Sequence, residues 1–176
     1  MEENAKNSSK HEKINFGHEK LKIFFVTHLD KIYAAKSHLI KHLPLLIDHI
    51  HLSDLQSAIQ ETLDNVGKQL ARMEIIYSIL DSEIGKGNFT GLAGLVDDAF
   101  ADIANYASDP ELRDLSIVFY MQNIESMEAA SFKILQMAAV KLKNKQIQQL
   151  IAENYMEAKS DRTLLLLITA KYMIAK

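Results

Sequence analysis

Residues 118–142, VFYMQNIESMEAASFKILQMAAVKL, decide the fold. Every third or fourth position reads Val118, Met121, Glu125, Glu128, Phe132, Leu135, Ala139 and Leu142. At 3.6 residues per turn, that spacing lines one face of an α-helix. No Gly or Pro interrupts the run, so nothing in the backbone breaks the helix. The seam is apolar at both ends and carries two carboxylates in the middle. Such a face needs partner helices for its apolar ends and a compensating group for its acids.

The neighbouring segments supply the partners. Upstream, Ser108-Asp109-Pro110-Glu111 is a strong helix start: a capping residue, proline in the first turn and an acid at the positive end. Downstream, a Lys-Asn-Lys corner leads into a helix from about 145 to 175, with the stripe Ile147, Leu150, Asn154, Glu157, Asp161, Leu164, Ile168. A first helix, from about 19 to 50, carries Phe25, Leu29, Ile32, Lys36, Leu39 and Leu43. Pro44 should kink this helix and not end it, because apolar residues continue beyond. A second helix, capped by Ser53 or Asp54, carries Ile59, Leu63, Val66, Leu70, Met73, Tyr77 and Leu80. Thr62, Asn65 and Gln69 form a polar row beside that stripe. Gly85, Gly87 and Asn88 break the pattern, and a short helix from about 92 to 106 follows, with Leu95, Val96, Phe100 and Ile103 on its apolar side.

The expected fold is all-α: a four-helix bundle with a short extra helix in the long crossover between its second and third long helices. That is the ferritin-like arrangement. The long helices should each span about 40–50 Å. Residues 1–17 read as a mobile polar tail, and residues 18–176 as one bundle domain.

Composition narrows the chemistry. The chain has 176 residues, 48% of them apolar, with six Gly, two Pro and no Cys. Disulfides, zinc ribbons, thiolate nucleophiles and iron–sulfur clusters are excluded. A net charge of −3 gives no reason to expect a nucleic-acid partner. Without a signal-like start or an apolar run near 18 residues, a cytoplasmic protein without a membrane partner is expected. All seven His lie at or before position 51: His11, His18, His28, His38, His42, His49 and His51.

In bundles, inward carboxylates at mid-helix build di-iron and di-manganese sites from two Glu and two Glu-x-x-His motifs. Here the second, third and fourth long helices contain no histidine. The first offers Lys36 where an acid is needed. Glu125, Glu128, Glu157 and Asp161 remain as candidate ligands for a hard cation. The preferred reading has Lys36 as their charge partner, with no metal or other cofactor, in a degenerate site. Alternatives are a carboxylate-only protein that stores or oxidises iron or manganese, and a rotation that exposes Glu157 and Asp161. His38 and His42 have the spacing of a surface metal pair but lie off the stripe, and are expected to be solvated. Tyr33, Tyr77, Tyr120 and Tyr155 read as packing residues. The run Leu164–Ile168 is apolar on every face and suggests an oligomer contact. No Ser/His/Asp set or phosphate-binding loop is present, so an enzyme is not expected.

Several segments in order resemble the YciE/YciF-like family of ferritin-like bacterial stress proteins. They are Leu29-Asp30-Lys31-Ile32-Tyr33-Ala34-Ala35-Lys36 with Leu39, Leu43 and Pro44; Gln69-Leu70-Ala71-Arg72-Met73-Glu74; Gly94-Leu95-Val96-Asp97-Asp98; and Glu125-Ser126-Met127-Glu128-Ala129-Ala130-Ser131-Phe132. The resemblance covers about Leu21 to Met173. It implies a rubrerythrin-like bundle, a homodimer and stress-linked expression. Glu125, Glu128 and Glu157 match the family's acidic positions. Lys36 stands where the family has Glu, Ser126 where it has His, and Asn65-Val66 where it has Glu-Thr. Met156-Glu157-Ala158-Lys159 stands in place of a Glu-rich run.

Overall fold

The computed structural model describes residues 17–174. Residues 1–16, which hold most of the expected tail, lie outside the described residues. Five helices form: α1 (His18–Ile47), α2 (Ser53–Ile79), α3 (Thr90–Asn105), α4 (Pro110–Leu142) and α5 (Lys145–Ile174). There is no strand among the described residues. α4 and α5 pack as one hairpin and α1 and α2 as the other. The two hairpins meet along α1·α4 and α2·α5, and α3 lies across α4 and α1. This is the expected ferritin-like bundle with its helical crossover.

Local chemistry accounts for most boundaries. α1 passes through Pro44 and runs one turn further. Asp109 caps α4 by accepting from the Leu112 N–H at 3.0 Å. Lys143 ends α4 in the left-handed region at φ 58°, and Asn144 then accepts from Ile147 N at 3.1 Å to open α5.

The start of α2 differs from expectation. Neither Ser53 nor Asp54 caps it; Leu52 is the N-cap residue and makes no side-chain cap bond. Instead the fully buried Asp114 of α4 accepts from His51 N at 2.8 Å and Leu52 N at 2.6 Å. A carboxylate brought from another helix therefore supplies the negative charge that the positive end of α2 favours.

Two helix faces are also turned from the expected ones. The α1 and α4 stripes are buried as expected. In α5 the buried rungs between Ile147, Asn154, Asp161 and Ile168 are Ile151, Ala158 and Leu165, in place of Leu150, Glu157 and Leu164. In α2 the polar row Thr62, Asn65 and Gln69 faces inward, while Leu63, Leu70 and Leu80 are only half-buried. In α2 the interior is polar at mid-height, and inward Asn65 finds Asp161 there. In α5 the apolar Ile151, Ala158 and Leu165 turn inward, while Arg72 holds Glu157 on the flank.

The interior accordingly falls into two apolar clusters. One includes Leu39, Leu43, Leu55, Ile59, Met121 and Leu165. The other includes Phe25, Leu29, Met73, Phe132, Ile147 and Ile151. Between them lie Lys36, Thr62, Asn65, Gln69, Glu125, Glu128, Asn154 and Asp161, all buried.

The crossover is pinned to α1 by Asp30, which accepts from the Tyr77 hydroxyl at 2.6 Å and from Gly85 N at 3.1 Å. Gly87 passes so close that a Cβ there would strike the Asp30 carbonyl and Lys31 Cα. Backbone cannot yield as a flexible side chain does. Gly87→Ala should therefore cost about 1–3 kcal/mol in urea denaturation, whereas Gly91→Ala, with open space around its Cβ position, should stay within about 0.5 kcal/mol.

Candidate functional site

Lys36 reaches the middle of the bundle from α1 and is 1% exposed. Its ammonium forms an ion pair with Glu128 Oε2 of α4 and lies 5.4 Å from the centroid of the Phe132 ring. The pairing of Lys36 with a core carboxylate is thus present, and its partner is Glu128. Glu128 Oε1 and both carboxylate oxygens of Glu125 have no hydrogen-bond partner. Burial pushes the Glu125 carboxyl well above the usual carboxylate range. The Glu128 charge pushes it further, and Lys36 pulls it part of the way back.

Asp161 of α5 is also interior, at 2% exposed. It accepts from Asn65 Nδ2 at 2.9 Å. Burial pushes its carboxyl up to about 6, against the pull of that hydrogen bond and of Lys36. The alternative that left Asp161 in solvent does not hold.

Glu157 is a correction. It does not join the interior group but lies 23% exposed on the flank. Arg72 of α2 holds it through a two-pronged contact, Nη1 to Oε2 at 2.7 Å and Nη2 to Oε1 at 2.8 Å. Arg72 Nε also lies 3.0 Å from Glu153, and Nη1 donates to Asn154 Oδ1 at 3.2 Å. The physical reason is the rotation of α5: Ala158 turns inward and carries Glu157 out to the α2·α5 seam. Reasoning from sequence also missed Thr62, Asn65 and Gln69 as interior residues. Their spacing at 3 and 4 along α2 was a usable signal, but polarity read them outward.

The donor set bears on any metal that a ferritin-like fold implies. Helices α2, α4 and α5 contain no imidazole. An ammonium is fixed beside Glu128, where it repels a dication. Among the described residues, no three His, Cys, Asp or Glu side chains come together as a metal-holding group. These residues do not fit a di-metal centre.

Raised carboxyl pKa values carry a stability consequence with a definite sign. Asp161 has an ordinary value of 3.8 and a folded value of about 6, so the folded state binds its proton more tightly. Stability should then fall as pH rises from about 4 to about 6. At about 1.4 kcal/mol per unit, the full effect is about 3 kcal/mol. Glu125 acts with the same sign. Asp161→Asn, which keeps an acceptor for Asn65, should flatten this slope. Urea midpoints at pH 4.5 and 7.5 check it; an unchanged slope would show that Asp161 does not carry the effect.

His38 and His42 are half-buried beneath α3 and not fully solvated as expected. Their rings stack at 3.9 Å, with Phe89 and Phe100 beside them. Of the tyrosines, Tyr77 is buried while Tyr33, Tyr120 and Tyr155 are half-buried. Tyr33 donates to Glu74 at 2.8 Å. In the Leu164–Ile168 run, Leu165 and Ile168 face the core while Leu166 and Leu167 are exposed. Among the described residues, no helix is long and apolar enough to cross a membrane.

The hairpin pairing, the crossover helix and the polar layer at mid-height define a ferritin-like four-helix bundle with a charged interior. The chain belongs to the family Domain of unknown function DUF892, whose model matches residues 20–173. Its fold is similar to that of the E. coli stress protein YciF, with 22% identity and a TM-score of 0.82 over 89% of this chain and 98% of that one. It is also similar to YcfI from Rhodopseudomonas palustris, provisionally called a structural protein, with 25% identity and a TM-score of 0.77 over 88% and 96%. No curated protein matches it in sequence. The resemblance read from the sequence to a YciE/YciF-like bundle is thereby established.

Proposed function

We infer that this is a cytoplasmic, stress-associated and non-enzymatic bundle protein in which a lysine ammonium takes the place of a metal. The observation that carries this reading is the buried Lys36–Glu128 ion pair. Removing a charge from water is costly, and a paired charge recovers part of that cost without a cation. Burial and the neighbouring Glu128 charge push the Glu125 carboxyl up, which disfavours the anionic form that a dication would bind. The stress association rests on the likeness to YciF.

The test is elemental analysis of protein purified after iron or manganese supplementation. Wild type should carry no stoichiometric iron or manganese. Lys36→Glu, which removes the ammonium and adds a ligand, should gain affinity for metal. A second reading, a carboxylate-only iron or manganese protein, draws support from the unpartnered oxygens of Glu125. It predicts stoichiometric metal in wild type that Glu125→Ala abolishes, and that result would overturn the first reading. Protein abundance under imposed stresses tests the association itself.

The homodimer draws support from the outer face of α4. Phe119, Met127, Ile134, Met137 and Val140 are exposed there, opposite the buried seam. An apolar outer face on a helix that already packs a core favours a protein partner. Sedimentation should give a dimer, and Ile134→Glu/Met137→Glu should shift it to monomer. A monomeric wild type would end this reading.

A further inference from the structure

We propose that His38 and His42 form a two-imidazole site for a divalent transition metal ion of the Zn²⁺, Ni²⁺ or Cu²⁺ type, on the flank of α1 beneath α3. Residues at i and i+4 sit one above the other on a helix. Here the two rings stack at 3.9 Å between centroids, with 27° between planes. His42 Nδ1 lies 2.8 Å from the carbonyl oxygen of His38. A carbonyl only accepts, so Nδ1 carries the proton and Nε2 keeps its lone pair. Metal-binding histidines commonly use this arrangement, in which the second nitrogen donates to a backbone carbonyl and orients the ring.

The other half of the site is an unused donor. His38 Nε2 is buried and has no hydrogen-bond partner. A buried polar atom left unpaired is costly, and a turn of the ring toward an ion on His42 Nε2 relieves that cost. Burial, with His42 next to it, also holds the His38 imidazole below its ordinary pKa.

Nitrogen donors select zinc, nickel or copper over magnesium or calcium. The exposed Asp97 carboxylate on α3 is near enough to act on the charge of His38. Its negative charge favours a cation on the two imidazoles, with water completing the shell. This site shares no residue with the Lys36 interior, so its fate is independent of that reading.

The experiment is calorimetric titration of the full chain with Ni²⁺ and with Zn²⁺ at pH 7.5, alongside thermal melts. Wild type should bind a single ion, and its melting temperature should rise with metal. His42→Gln and His38→Gln should each weaken binding by at least about tenfold and lose the metal-dependent shift. Asp97→Ala, which leaves the ring stack intact, should weaken binding less. His49→Gln, an exposed control, should bind as wild type does. No binding up to about 1 mM metal, affinity unchanged in His42→Gln, or an equal loss in His49→Gln would each overturn the proposal.

Discussion

Lys36→Met should destabilise the bundle by about 3–5 kcal/mol at pH 7, the largest effect expected of a single substitution here. Methionine fills much the same space, so cavity formation contributes little. What changes is charge. Glu128, 2% exposed, loses its ionic partner while Oε1 already has no hydrogen bond. It can shed its charge only by taking up a proton. The loss should therefore shrink as pH falls toward 5, a dependence that a packing defect does not show. Adding Glu128→Gln to Lys36→Met should recover much of the stability, and the double-mutant cycle measures the coupling. A change below about 0.5 kcal/mol in Lys36→Met would mean that the ammonium reaches water. That result would remove the basis for placing a lysine where a metal would sit.

Asp114→Ala should cost about 2–4 kcal/mol, although Asp114 lies far along the chain from the segment it supports. Its carboxylate receives the His51 and Leu52 N–H groups at the entry of α2. Hydrogen bonds to a charged group contribute about 1.5–3 kcal/mol each, and solvent reaching the exposed His51 offsets part of that loss. Asp114→Asn keeps the shape and one acceptor, so it should cost less. Hydrogen exchange at the start of α2 should quicken more than exchange in its middle. Uniform loss of protection would argue that Asp114 acts on the whole core and not on that helix entry.

The two predictions differ in how far the sequence foretold them. Lys36 is visible because it breaks an apolar stripe at a position where the spacing leaves no doubt about its face. Asp114 is not visible, since an acid in the first turns of a helix reads as a surface residue. The same contrast separates the helices. α1 and α4 carry apolar rungs on both sides of their charged ones, so the inward face is marked by contrast. In α2 and α5 the inward rungs at mid-height include Thr62, Asn65, Gln69 and Asn154, and polarity no longer reports burial. Between Asn154 and Asp161 the spacing admits either Glu157 or Ala158 as the inward rung, and Arg72 holds Glu157 outside.

What the chain alone determined is the set of helices, their bundle and the exclusion of histidine from three of the four long ones. Those follow from periodicity, capping and counting, which are local properties. The tertiary structure alone decided which carboxylate Lys36 meets, that Glu125 is left without a partner, that Asp161 is interior, and that Asp114 serves a helix to which it does not belong. Each of these depends on how a helix is rotated against its neighbours. When inward and outward residues are both polar, spacing constrains that rotation weakly, and pairing across helices settles it.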